Sequence, residues 1–175
     1  MIERKYLAHY VDANFDTKYT NTNYVRLGKD LEEYNEELSP DVEVTKNILG
    51  EQSVKVNGYE VQSSVDPFYY ENYDDELSNK IMQLANTRAT GEQCKTTVVD
   101  VLLKPDPTDA ENNPPSVVWA YREDCYVVPD TKGGDTSGVQ TPFTIYMAGN
   151  RKKGTFNLNT KEFTVGGATG ASLSD

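Results

Sequence analysis

At 175 residues the chain is sized for one domain, or one domain with arms, and it carries 28 Asp and Glu against 17 Lys and Arg, a formal net charge of −11. That balance argues against ordinary binding to a nucleic-acid backbone, where affinity comes from cations neutralising phosphates. No apolar run is long enough to span a membrane, Glu3-Arg4-Lys5 interrupts any signal-peptide pattern at the start, and two cysteines are too few for a disulfide framework or a zinc site.

Apolar residues make up 37% of the chain, against roughly 45–50% in a typical globular protein on a count that takes Gly in place of Tyr. Gly and Tyr each occur 12 times, so the comparison holds. A lean core leaves surface that only partners bury.

Residues 1–23 are rich in Tyr, Asn and Thr and read as an N-terminal arm leading to a first strand near Tyr24 to Leu27. A single β domain is expected over 24–165. Residues 30–41 are acidic, end at Ser39-Pro40 and read as a loop. Strands are expected at about 42–48, 53–56 and 59–65. The last two form a tight hairpin, because Asn57-Gly58 tolerates the two positive φ angles of a type I′ turn. Pro67 favours an extended Asp66. Asp74-Asp75-Glu76 then precede Leu77, Ile81, Leu84 and Ala85 at helical spacing. Acidic residues at a helix start satisfy free N–H groups, so a short amphipathic helix over 75–87 lying on a sheet is predicted.

Thr96 to Leu103 is dense in β-branched residues and is the strongest strand signal. Pro105-Asp106-Pro107, Asp109 and Asn112 to Pro115 mark a long exposed loop. Val117 to Tyr121 and Cys125 to Val128 read as two strands around Arg122-Glu123-Asp124. A Gly-rich turn from Gly133 to Gly138 precedes a strand from about Pro142 to Ala148. Gly154 to Leu158 and Glu162 to Val165 form a last hairpin through Asn159-Thr160, and the small, polar tail 166–175 reads as flexible. The sum is a mainly β fold, a β-sandwich or partly closed barrel, with one short α-helix packed on the sheet.

Catalytic chemistry is thin. His9 is the only histidine, so it alone would have to serve Ser–His or Cys–His catalysis. Glu36-Glu37 and Asp74-Asp75 are sequence neighbours, which does not set two carboxylates across a cleft. Thr131-Lys132-Gly133-Gly134 lacks phosphate-loop spacing and is flanked by acids. Asp106, Asp109 and Glu111 miss the EF-hand pattern. No enzyme, cofactor or metal is therefore expected. Trp119 among twelve tyrosines leaves a second possibility, an acidic extracellular β-sandwich module that binds carbohydrate on an exposed Trp119 face.

Several segments taken in order resemble the major tail tube proteins of long-tailed phages and prophages of Gram-positive bacteria. They are Arg26 to Leu31, Asn47 to Glu51, Gly58-Tyr59, Ser64 to Tyr69, Cys94 to Thr97, Gly133 to Gly138 and Gly149 to Phe156, spanning roughly residues 24 to 165. The resemblance implies a tube-type β fold and subunits that form hexameric rings. These would stack into a hollow virion tail through which DNA passes without specific binding. It further implies synthesis in the bacterial cytoplasm, and an initiator complex, tape measure and terminator as partners. An additional C-terminal immunoglobulin-like domain is expected to be absent. The segment that would reach the neighbouring ring is 29–65. Subunit contacts are expected from Glu36, Glu37, Glu43, Glu51 and Lys55 there, and from the basic turn Arg151, Lys152 and Lys153.

Overall fold

A computed structural model describes residues 1–103 and 117–166; the loop expected around 105–115 and the tail beyond Gly166 lie outside them. The strands are β1 (Leu7–Asp12), β2 (Tyr24–Arg26), β3 (Glu36–Glu37), β4 (Pro40–Lys46), β5 (Gln52–Tyr59) and β6 (Gln62–Val65). After α1 (Glu76–Thr87) come β7 (Lys95–Leu102), β8 (Val117–Pro129), β9 (Gly133–Asp135), β10 (Gly138–Gln140), β11 (Phe143–Met147), β12 (Lys152–Asn157) and β13 (Glu162–Val165). Among the described residues the protein is mainly β with one short α-helix.

Nine strands make one antiparallel sheet in the order β2-β1-β7-β8-β11-β6-β3, with β12 also bonded to β8 and β13 to β12. Strand β8 is its spine. One edge of β8 pairs with β7 from Ala120 to Tyr126. The other edge pairs with β12 over Val117–Arg122 and with β11 over Cys125–Pro129. Because side chains alternate along a strand, β7 feeds both faces of the sheet. Val98 joins Val11, Cys125, Val127, Phe143 and Ile145 on the face that α1 covers with Leu77, Ile81 and Leu84. Val99 and Val101 join Tyr10, Tyr24, Ala120 and Phe156 in a second core on the opposite face.

The helix begins as the acidic cluster predicts. Asp75 is its N-cap, accepting hydrogen bonds from the Leu77 and Ser78 amides, and Arg88 closes it in the left-handed region at φ +50°. The hairpin of β12 and β13 also falls where Asn159-Thr160 places it.

Three expectations are corrected. Residues 1–23 are not an arm, because β1 lies inside the sheet between β2 and β7 with five of its six residues buried. Its polar residues disguised it. The His9 ring bonds Asp100, and the fully buried Asp12 carboxylate accepts from the amides of Asn14, Asp16 and Asn23, fixing the loop that follows.

Arg122-Glu123-Asp124 does not separate two strands, and β8 runs straight through it. Each charge finds a partner without breaking the strand. The Arg122 guanidinium lies 3.9 Å from the Tyr19 ring centroid. Glu123 accepts from the Gly149 amide, and Asp124 from the Tyr19 hydroxyl and the Asn150 side chain.

The tight hairpin at Asn57-Gly58 is likewise absent. Strand β5 continues through this pair, which sits at a register shift opposite Asp41. The turn lies earlier, at Asn47 to Gly50, where the Asn47 side-chain oxygen accepts from the Leu49 and Glu51 amides and Gly50 takes φ +83°. In this register Val42 faces Val56 and Val44 faces Val54, and cross-strand β-branched pairs outweigh local turn preference.

Candidate assembly surface

Strands β4 and β5 form a separate two-stranded ribbon in which every residue from 37 to 57 is exposed. Seven paired residues at about 3.3 Å each give it a reach of roughly 23 Å. One face carries Val42, Val44, Val54 and Val56, each leaving about half of its surface in solvent. The other carries Glu43 opposite Lys55 and Thr45 opposite Ser53. At the tip, Ile48 and Leu49 are exposed at 102% and 77%. A lone two-stranded ribbon is marginal in water, and contiguous exposed apolar area marks a contact surface.

Of the residues singled out in the sequence, Glu43 and Lys55 lie on the polar face of this ribbon, and Glu51 closes its tip by accepting from the Asn47 side chain. Glu37 is exposed beside Gln62. The four valines were missed. Their alternation is plain in the sequence, but the Asn57-Gly58 signal assigned β5 to a different partner.

Glu36 goes elsewhere. At the root of the ribbon it joins His9, Asp100, Glu123 and Arg151 in an ionic cluster drawn from β3, β1, β7, β8 and the turn before β12. His9 Nδ1 lies 2.7 Å from Asp100 Oδ1 and 3.7 Å from Glu36 Oε1. Arg151 Nη1 donates to Asp100 Oδ2 at 2.8 Å and to Glu123 Oε2 at 3.3 Å. Three carboxylates thus share one guanidinium and one imidazole. Burial, then the charge of Asp100, pushes the Glu36 carboxyl up to about 8. Burial also works against ionised Asp100, but the hydrogen bond and charge of His9, with Arg151, outweigh it and hold that carboxyl low. A protonated Glu36 has Asp100 as its acceptor.

His9, Glu36 and Asp100 each offer an atom within 4.8 Å of the others, the spacing of a metal site. The His9 and Asp100 atoms are already engaged with each other, and Arg151 supplies positive charge to Asp100 and Glu123. The arrangement is that of a buried ion-pair and hydrogen-bond cluster joining five segments of the fold.

Its pH dependence has a definite sign. A carboxyl whose folded pKa lies above its unfolded value of 4.5 contributes full stability below pH 4.5 and loses it as pH rises toward 8. Glu36→Gln keeps the donor and removes the charge. In urea titrations the variant is expected to match the wild type near pH 4.5 and to exceed it at pH 8 by about 1–3 kcal/mol. Equal stabilities at pH 8 would refute a protonated Glu36.

The basic turn is also engaged within the subunit. The Arg151 guanidinium stacks 4.9 Å from the Tyr121 ring centroid, and the Lys153 ammonium lies 4.4 Å from that of Trp119. Lys152 is exposed, opposite Arg122 in the ladder. Trp119 is half-buried, and the lysine occupies a ring face that a sugar would need.

No family model matches the chain, and no curated protein matches it in sequence. Among solved structures it is similar to the PVC sheath/tube terminator of an extracellular contractile injection system in its extended state. That likeness has a TM-score of 0.46 and 9% identity, covering 87% of this chain and 96% of the other. A likeness of this size carries neither a fold family nor a role over to this chain.

Proposed function

We propose that the chain is a structural subunit of a phage-type tail whose copies polymerise as stacked hexameric rings into a hollow conduit for DNA. The observation that carries this is the β4–β5 ribbon, an extended arm with a bare valine face and an apolar tip. Such a surface is explained by a protein that completes its burial in contact with its own copies. The ordered resemblance over residues 24 to 165 supplies the kind of assembly. The charge of −11 suits a conduit, since each phosphate contact with the wall would retard passage of the duplex. In this role the protein is made in the host cytoplasm, ends in the virion tail, needs no cofactor and performs no catalysis; its further partners are the initiator, tape measure and terminator proteins of the tail.

Negative-stain electron microscopy of the purified chain across a concentration and salt series tests the proposal. Hollow tubes or six-membered rings are expected. A monodisperse monomer at every concentration and salt counts against it.

A further inference from the structure

In a chain this acidic, a basic hollow stands out. A cavity of about 480 Å³ lies at the root of the ribbon, walled by Arg4, Lys5, Arg26 and Lys29 and by the side chains of Leu27 and Leu31. Glu32 is the one acid on its wall. The guanidinium of Arg4 bonds the carbonyls of Leu7 and Tyr34, and that of Arg26 the carbonyl of Lys5. Both arginines are thereby held in place by neutral acceptors, with their charge left over. Lys5 and Lys29 meet Glu3 and Glu71 only in largely solvated pairs, which cancel little of the field.

The chemistry complementary to this hollow sits at the far end of the same ribbon. Ile48 and Leu49 project from the turn with nothing covering them, and Glu51 adds a negative charge beside them. An apolar pair with an adjacent carboxylate fits a hollow with leucine walls and a cationic rim. The two features are separated along the ribbon by its length, roughly 23 Å. Key and socket on opposite ends of one arm make a heterologous contact, the kind that joins each copy to the next head to tail.

We infer that the socket formed by Arg4, Lys5, Arg26 and Lys29 receives the Ile48-Leu49-Glu51 tip of a second copy of this chain, fixing the axial step of the assembly. This rests on the tail-subunit reading and deepens it by naming the receiving surface. The ribbon's valine face supplies area along the way, while the socket sets where the tip stops. The socket borders the ionic cluster through His9, which lines its wall, while the cluster's Asp100 and Glu123 are engaged by His9 and Arg151.

The test uses the full chain and measures the fraction that pellets as assembled particles. Ile48→Lys with Leu49→Lys, at a solvent-exposed turn, is expected to leave the subunit folded by circular dichroism and to cut the pelleted fraction at least tenfold. Arg26→Glu and Glu51→Arg each weaken assembly, and together they restore it to within twofold of the wild type. Independently, a mixture of Leu49→Cys and Lys29→Cys subunits forms an interchain disulfide on oxidation, with the buried Cys94 and Cys125 out of reach. Normal particles from the doubly substituted tip, or assembled particles without that disulfide, overturn the socket and leave the tail reading standing. A wild-type chain that never self-associates overturns both.

Discussion

Val44→Asp with Val54→Asp is expected to abolish assembly while leaving the subunit folded. Both valines already have about half of their surface in water, and they face each other across the ribbon. Neither contributes to the two cores of the main sheet, so the melting temperature should move by no more than about 2 °C, in keeping with surface substitutions worth within ±0.5 kcal/mol. Two carboxylates placed in an apolar contact must be desolvated or left as a gap, at a cost of several kcal/mol per subunit. Since about 2.7 kcal/mol corresponds to a hundredfold in an equilibrium constant, the critical concentration should rise by roughly 100-fold or more. Sedimentation against concentration checks this. Unchanged assembly by the folded variant would remove the valine face as the organising contact.

Arg151 should behave in the opposite way, damaging the fold and not the contact. Replacing it with Met leaves Asp100 and Glu123 facing each other in the sheet with no guanidinium between them. Removing one partner of a buried ion pair costs about 3–5 kcal/mol. Arg151 is itself 38% exposed on its side chain, so water tempers the loss to about 2–4 kcal/mol, or roughly 5–10 °C in melting temperature for a domain of this size. A second change, Asp100→Asn, should recover part of it, since the surplus charge is then gone. Calorimetry on the two single variants and the double variant separates these effects. An unaltered melting temperature with lost assembly would return Arg151 to the subunit interface.

Those contrasting outcomes trace how much of the molecule its sequence discloses. The helix from Glu76, the strand at Lys95–Leu102 and the last hairpin follow from local rules, since a capping Asp75, a β-branched run and an Asn-Thr turn act within a few residues. Strand β1 was hidden because His9 and Asp12 look solvent-facing until their partners are known, and Asp100 is 91 residues away. The continuity of β8 was hidden likewise. Arg122, Glu123 and Asp124 read locally as a break between two strands, yet each is satisfied by an aromatic ring, an amide or a side chain from a distant segment. For the ribbon, the chosen segment 29–65 contains it, but a favourable Asn-Gly pair misplaced the turn by about ten residues, from 47–50 to 57–58. The charged residues singled out divided accordingly: Glu43, Glu51 and Lys55 fall on the ribbon, while Glu36 and Arg151 meet in the cluster at its root.

Strand β8, like β1 and β7, belongs to both cores. Its first half carries Val118 and Ala120 into the core shared with Phe156, and its second half carries Cys125 and Val127 beneath the helix. Neither half of the sheet can therefore come apart without disturbing the hydrogen-bond ladder of the other, so the main sheet is a single cooperative unit of unfolding. The ribbon lies outside that unit. Local opening, where it occurs in the free subunit, begins in the very segment that contact with a neighbour would protect.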